Sequence, residues 1–380
     1  MTNFSNEDSN TSKPDWVPED DSSHPIRNAA KDGDVKKVKE FFQKEEFQKG
    51  ELPPEPDPFG YTALHFACRR GHSEIVKLLL EMGYRADQEN AIEVTPLHNA
   101  AREGTTEIVK ELLEAGGEIG KGDNVERTPL YCACEHGHAN LARFLLDAGA
   151  NPSRFNKHGD FPLRRAVVKG HLDVAQLLID RGASVTDGPN ASSGSPPLFA
   201  EAVESGSFDM VQFMLDCYEE REPGTGALSE ALSTAARMGA CKVVEMLIER
   251  GADVGQISMY GRTPLMNAAL EGNTGIAEML LDCGADPTRQ NSDGQAPIHF
   301  AARSGSTTLM ELFLERGASA TQADNEGKAP IHEAAQSGSI EAVRLLIERG
   351  ADPTRSTWTR GGEGGLSPVY AAVWGSSAQE

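Results

Sequence analysis

The chain has 380 residues and is strongly acidic, with 36 Lys and Arg residues against 58 Asp and Glu residues and a formal net charge of −22. This charge argues against non-specific binding to nucleic acid or to an anionic membrane surface. No run of about 18 apolar residues occurs, so the sequence predicts no membrane span. The first residues, MTNFSNE, lack the basic and apolar stretches of a secretion signal.

Residues 1–22 form a polar, acidic segment, which we predict to be a disordered tail because its composition cannot support a core. Its acids alternate with a few apolar residues, Trp16 and Val17 among them. Two roles stay open for this tail: a solubilising segment, or a short docking motif of the kind found in activation domains.

From residue 23 onward a motif recurs, in its clearest form Thr95-Pro96-Leu97-His98, followed by two small residues and a closing glycine. The closing glycines are Gly33, Gly71, Gly104, Gly137, Gly170, Gly206, Gly239, Gly272, Gly305 and Gly338. Seven of the nine intervals between them are 33 residues, a period typical of stacked supersecondary units. Proline suits the first turn of a helix and glycine suits its end, so the motif predicts a short helix. A second helix with paired apolar residues, such as Leu145-Leu146, follows each closing glycine.

The repeats fall into two blocks. Residues 23–186 hold repeats one to five, and a charged, proline-containing insert at 43–58 lengthens the first. Residues 187–197 are rich in Gly, Ser and Pro and predict a flexible loop. Residues 198–376 hold repeats six to eleven, of which the last is incomplete. Two alternatives stay open for the irregular middle: a joint, or a surface insertion in one continuous stack.

This pattern closely resembles the ankyrin repeat family over roughly residues 24–376. The resemblance implies an all-α solenoid, an array of hairpin–helix–helix units in a curved stack with a concave groove. First helices and hairpin tips line the groove in this family. The resemblance also implies that the motif histidines, at 65, 98, 299 and 332, bond the backbone of neighbouring hairpins.

No catalytic pattern stands out, and we expect no catalytic residue, no cofactor and no metal. His332-Glu333 begins like a zinc-protease motif, but Gln336 stands where the second histidine is needed. His136 and His138 have no further ligand at a matching spacing. Six cysteines are scattered along the chain, and we interpret Cys68 and Cys134 as small core residues in a reducing, intracellular protein.

The residues just before each closing glycine, together with the hairpin tips, are the variable positions of the expected groove. Basic residues are frequent there, while the second helices are rich in acids. Aromatic residues and arginine are the usual anchors of protein interfaces. The candidate protein-binding residues are Phe59, Tyr61, Arg69, Arg70, Arg102, His136, Lys169, Arg237, Tyr260, Arg262 and Arg303.

We therefore expect a non-enzymatic intracellular scaffold or adaptor, cytoplasmic and/or nuclear, that binds partner proteins through the groove. The partner would present an acidic or extended motif. We expect a monomer with no direct contact to nucleic acid. Two alternatives stay open: a transcription co-regulator acting in the nucleus, and an accessory protein of an enzyme pathway.

The first prediction concerns unfolding. Contacts in a repeat array are local, so an interrupted array can lose cooperativity at the interruption. We expect residues 24–186 and 197–376 to unfold in separate transitions and to fold as separate fragments. Far-UV and near-UV circular dichroism, followed against denaturant, measure this. One coincident transition in the full chain, with neither fragment folded alone, would contradict the prediction.

Overall fold

The computed structural model describes residues 24–43, 56–185, 198–219, 225–258 and 261–356. Several predictions fall outside these ranges. They concern the acidic tail at 1–22, the central part of the insert at 44–55, the loop at 187–197, Tyr260, and the incomplete last repeat beyond residue 356.

The described residues form ten pairs of helices and contain no β-strand, which confirms the all-α repeat architecture. The first helices of the repeats are α1 (Pro25–Asp32), α3 (Ala63–Arg69), α5 (Pro96–Glu103), α7 (Pro129–Glu135), α9 (Pro162–Val168), α11 (Leu198–Glu204), α13 (Thr225–Met238), α15 (Pro264–Leu270), α17 (Pro297–Ser304) and α19 (Pro330–Gln336). The second helices are α2 (Val35–Phe42), α4 (Ser73–Glu81), α6 (Thr106–Glu114), α8 (Ala139–Asp147), α10 (Leu172–Asp180), α12 (Phe208–Glu219), α14 (Cys241–Glu249), α16 (Thr274–Asp282), α18 (Thr307–Glu315) and α20 (Ile340–Glu348). Of the helices described, none has the length and apolar character needed to cross a membrane.

The chain divides into two compact units. Unit 1 comprises Met1–Arg165 and Asp180–Gly182, and unit 2 comprises Ala166–Ile179 and Ala183–Glu380. Within each unit, consecutive first helices pack side by side, and so do consecutive second helices. In unit 1 the row of first helices runs through α1, α3, α5 and α7, and in unit 2 it runs through α11, α13, α15, α17 and α19.

The two helices of a repeat bury different fractions of their surface. The first helices are short and buried almost throughout, as in α3, where Ala67 and Cys68 are fully buried. Cys134 is likewise fully buried, which confirms that these two cysteines are small core residues. The second helices bury one apolar stripe, such as Ile108, Val109 and Leu112 on α6. Burial of side chains of this size is worth about 1.5–3 kcal/mol each, so the core is built repeat by repeat.

A histidine ring joins one repeat to the next. In repeat two the backbone amide of Thr62 donates to Nδ1 of His65, while Nε2 donates to the carbonyl oxygen of Val94 in the next hairpin. His98 repeats the arrangement with Thr95 and with the carbonyl of Arg127, at 2.9 Å. His299 and His332 make the corresponding pair of bonds. The hairpin contacts implied for all four motif histidines are thus confirmed.

Several closing glycines lie against a side chain of the following repeat. Gly104 has a φ of +79°, and a Cβ added there would lie 2.5 Å from Nδ1 of His138. The Nε2 of His138 donates to the carbonyl oxygen of Arg102 at 2.8 Å. Glycine is therefore required for its left-handed backbone and also for the close approach of the next repeat.

The hairpins share one internal hydrogen-bond pattern at a 33-residue spacing. In six of them an Asp or Asn Oδ1 accepts two backbone amides, those of the residues two and four positions later, whereas the hairpin of repeat eight has Ser258 at this position. Asn90 accepts the amides of Ile92 and Val94, and Asp324 accepts those of Glu326 and Lys328. The other positions with this pattern are Asp57, Asp123, Asn156 and Asn291. Backbone bonds such as Ala91 N–H to the Phe59 carbonyl connect consecutive hairpins.

The second prediction follows from the buried state of His65. Burial lowers its pKa to about 4, and a second proton on Nδ1 would also break the bond from the Thr62 amide. A histidine with a depressed folded pKa stabilises the fold fully above the unfolded pKa near 6.5, and this contribution is lost as the pH falls towards 4. The loss is on the order of 3 kcal/mol.

We therefore expect the free energy of unfolding of the wild-type chain to approach that of the His65→Gln variant as the pH falls from 7 to 4. The glutamine variant is the reference because its amide does not titrate. Urea unfolding at several pH values measures the difference between the two proteins. A difference that stays constant over this range would contradict the prediction.

Candidate protein-binding face

In each unit, the last turns of the first helices and the hairpin residues just before the following helix are the positions that we call the candidate face. Behind it the packing positions are nearly constant, as the buried pairs Ala100-Ala101 and Ala268-Ala269 show. The positions on the face itself are half-buried or exposed and differ between repeats, as at Arg102 and Glu135. Ten of the eleven candidate residues lie within the described ranges.

Four of these candidates belong to repeat two in unit 1. Phe59 lies in the hairpin and is 45% exposed, which makes it one of the most exposed large apolar side chains described. Tyr61 is half-buried because its ring lies edge-on to the ring of His65, at 5.6 Å between centroids. Arg69 is half-buried and Arg70 is exposed at the end of the same repeat's first helix. The hairpin and the helix end thus bring aromatic and cationic side chains to one repeat.

Arg102 follows in repeat three, where it is half-buried in the last turn of α5. Neither Arg70 nor Arg102 forms an ion pair with any carboxylate in the described part of the chain. The positive charges of Arg70 and Arg102 are therefore not neutralised by a directly bound carboxylate among the described residues.

Two other candidates, His136 and Lys169, are exposed. Nδ1 of His136 donates to the carbonyl oxygen of Cys132 at 2.9 Å, and its ring stacks on that of His138. In the ranges that the structure describes, no three His, Cys, Asp or Glu side chains are grouped so that they could hold a metal ion. Burial raises the pKa of the Cys132 thiol to about 12.

Repeats four and five contain a buried polar cluster that the sequence analysis missed. Tyr131 occupies the histidine position of its motif, and its hydroxyl donates to the Asp160 carboxylate at 2.8 Å. Arg165 donates to the Tyr131 hydroxyl at 2.7 Å and forms an ion pair with Asp160. Burial lowers the pKa of Arg165, but the nearby Asp160 carboxylate outweighs this effect and the net shift is upward. The signal for this cluster was the replacement of His by Tyr within the motif.

Unit 2 brings three candidates, Arg237, Arg262 and Arg303, to one region. The guanidinium groups of Arg262 and Arg303 each lie 5.4 Å from the ring centroid of Phe300, which is 1% exposed. Burial lowers the pKa of Arg262, and the positive charges of Arg303 and Arg237 lower it further. Residues from three repeats thus form one cationic cluster, in which Arg262 and Arg303 share a buried aromatic ring.

Carboxylates engage two of these three arginines, which the sequence analysis did not anticipate. Both oxygens of Glu333 accept hydrogen bonds from Arg303, at 2.9 and 3.0 Å, and the Glu333 side chain is only 4% exposed. Arg237 forms an ion pair with Glu204 at 2.8 Å. Glu333 occupies the position of Asn99 and Asn267 in their repeats, five residues before the closing glycine. The basic character expected for the whole face is therefore largely offset in this part of it.

The second helices are also less acidic in effect than their sequence indicates. Arginines at the ends of three second helices reach acids of the preceding second helix: Arg181 pairs with Asp147, Arg250 with Asp216, and Arg316 with Asp282. Glu111 pairs with Lys77 and its side chain is only 17% exposed, so it is not a free surface carboxylate. Glu107, Glu114 and Asp180 are exposed, as expected for the second helices.

Comparison with known proteins is consistent with this geometry. A family model described as "Ankyrin repeats (3 copies)" matches residues 26–123, 97–189, 199–291 and 265–357. A human protein, "Ankyrin repeat domain-containing protein 39", is 44% identical over 64 residues, which is 17% of this chain and 32% of that protein. The chain thus covers about a third of that relative's length.

The third prediction concerns the Arg303–Glu333 pair. Replacing Arg303 by Ala leaves a buried carboxylate without its partner, a change that costs about 3–5 kcal/mol in fully buried pairs. Because Arg303 is 37% exposed, solvent screens part of this effect and we expect a loss of about 1–3 kcal/mol.

Urea unfolding of Arg303→Ala, Glu333→Gln and the double variant measures the coupling between the two side chains. We expect the double variant to be more stable than Arg303→Ala alone, because it contains no unpaired buried charge. A strictly additive result would show that the pair contributes little.

Proposed function

The chain belongs to the ankyrin repeat family, and from this premise we propose that it is a non-enzymatic scaffold or adaptor that binds partner proteins through the candidate face. Ankyrin repeats generally mediate protein–protein interaction. In this function the protein acts in the cytoplasm and/or the nucleus, as a monomer that makes no direct contact with nucleic acid. The binding residues we propose are the candidates named above, Tyr260 included.

The observation that carries the proposal is the grouping in repeats two and three of unit 1. An exposed aromatic ring, Phe59, lies in the same repeat as Arg69 and Arg70, and Arg102 follows in the next one. Large aromatic and arginine side chains contribute most of the binding energy in protein interfaces. A phenylalanine that is 45% exposed gains free energy when a partner covers it.

Electrostatics supports the same surface. Arg70 and Arg102 are positive side chains in a chain with a formal charge of −22. A partner with an acidic or extended segment would be attracted to them, whereas the rest of the chain would repel it. The partner's correct orientation would therefore be favoured before contact.

The fourth prediction tests this face against a matched control. Reversing Arg69, Arg70 and Arg102 to Glu should weaken partner binding by more than about 1 kcal/mol, or roughly fivefold. Reversing Glu107, Glu114 and Asp180 to Lys changes as many charges on exposed second-helix positions of the same unit, and should change binding less than twofold. Glu111 is left out of the control because it is half-buried and paired with Lys77.

Affinity purification with quantitative mass spectrometry identifies partners of the wild-type chain, and titration with a purified partner gives the affinities. Thermal unfolding of each variant checks that the fold is intact. If the second-helix variant loses the partners and the face variant retains them, the assignment of the face is wrong.

A further inference from the structure

Arg262 differs from the other arginines of the unit 2 cluster because no acid in the described part of the chain forms an ion pair with it. It ends the hairpin of repeat eight, where its carbonyl oxygen accepts the amide of Ser258 at 2.8 Å. Its side chain is half-buried and lies over the Phe300 ring, which offers no hydrogen-bond acceptor. Across the described residues, no carboxylate or carbonyl oxygen accepts a hydrogen bond from its guanidinium group. The guanidinium N–H groups of Arg262 thus have no hydrogen-bond acceptor among the described residues.

Two of the three neighbouring acids already bind the other arginines of the cluster. Glu333 binds Arg303 with both oxygens, and Glu204 binds Arg237. Glu271 favours the charged form of Arg262 electrostatically but forms no ion pair with it in the described structure. Burial and the two other arginines act in the opposite direction and lower the pKa of Arg262. Among the described residues, Arg262 is therefore the one guanidinium of this cluster that no carboxylate contacts directly.

Arg303, which shares the Phe300 ring with Arg262, also lines an open depression. A shallow depression is lined by Arg303, Lys328, Glu333, Gln336 and Ser337. Lys328 pairs with Glu326 at 3.0 Å, so the cation at this edge is also partly neutralised. An extended segment could lie along the depression while one of its side chains reaches Arg262.

From this geometry we infer that Arg262 is the docking point for a single aspartate or glutamate carboxylate in an extended segment of a partner protein. A planar guanidinium binds a planar carboxylate with two parallel hydrogen bonds. One carboxylate supplies the direct partner that Arg262 lacks among the described residues, whereas a polyanion such as nucleic acid is repelled by a chain of net charge −22. The inference rests on the proposed function, because it names the chemistry of a partner for the same face.

Glu333 has a second role in this arrangement, that of an internal competitor. Its carboxylate occupies Arg303, which would otherwise present a second guanidinium to the incoming segment. Neutralising Glu333 therefore strengthens acidic binding, whereas removing Arg262 weakens it. Opposite effects from two neighbouring substitutions are not expected if Arg262 is merely a structural residue.

The experiment uses the full chain and a phage-displayed library of random dodecapeptides, selected on the wild-type protein and counter-selected on Arg262→Gln. A fluorescein-labelled synthetic copy of an enriched peptide is then titrated by fluorescence anisotropy. Arg344→Gln is the matched control, because it removes one charge from an exposed position on α20 of the same unit. Arg262→Lys keeps the charge but loses the forked geometry.

We expect enriched peptides to share an Asp or Glu whose change to Asn or Gln weakens binding at least about tenfold. Arg262→Gln should weaken binding by a similar factor, Arg262→Lys by less, Arg344→Gln by less than twofold, and Glu333→Gln should strengthen it about threefold. Thermal unfolding confirms that each variant is folded.

Peptides without a shared acidic residue, peptides that bind Arg262→Gln as tightly as wild type, or no enrichment over Arg262→Gln would each overturn the inference. A phosphoserine peptide that binds more tightly than its glutamate counterpart would overturn it in favour of phosphate recognition. None of these results bears on partner capture through Arg69, Arg70 and Arg102 of unit 1, so failure here is distinguishable from failure of the proposed function.

Discussion

The motif histidines bond the backbone through both ring nitrogens, and burial lowers the pKa of His65, His98 and His299, which favours their neutral form. In His65 the Nδ1 accepts an amide of its own repeat and the Nε2 donates to the next hairpin. This one group connects the start of a helix, a hairpin and the following repeat, so the order of the first helices and the position of the candidate face depend on it. Closing glycines such as Gly33 and Gly104 add a second link, because a histidine of the next repeat lies directly on each of them.

Because the packing behind the face is nearly constant, the residues exposed on the face can differ between repeats. The two units differ in how the arginines on the face are paired with acids. In unit 1, Arg70 and Arg102 carry charges with no direct acid partner among the described residues. In unit 2, Arg237 and Arg303 are held by acids and Arg262 is not. A cation already bound by a buried carboxylate contributes less attraction to a partner, so a sequence count of basic residues overstates the positive field.

The repeat period, the helix pairs and the role of the motif histidines could be predicted from the sequence, because each depends on residues at fixed spacings. The partners of surface charges could not. In the sequence Glu333 occupies an ordinary motif position. Its contact with Arg303 joins two residues that are 30 positions apart and belong to different repeats, so no local pattern predicts it. Glu111 was expected to be a surface acid, but its burial depends on how α6 packs against its neighbours. Nor could the sequence predict that Arg262 and Arg303 share the Phe300 ring, with Arg237 close enough to affect the pKa of Arg262.

The links between repeats differ in how far they restrict rearrangement of the chain. The histidine links end on backbone carbonyls, which every residue possesses, so a repeat with such a link accepts almost any successor. The Tyr131 link ends on the Asp160 side chain and needs Arg165 to complete it. Repeats four and five are thus a matched pair. Duplication or loss of other repeats preserves the contacts between them, whereas separating the two would leave the buried Asp160 carboxylate without the Tyr131 hydroxyl. We therefore expect these two repeats to be inherited together.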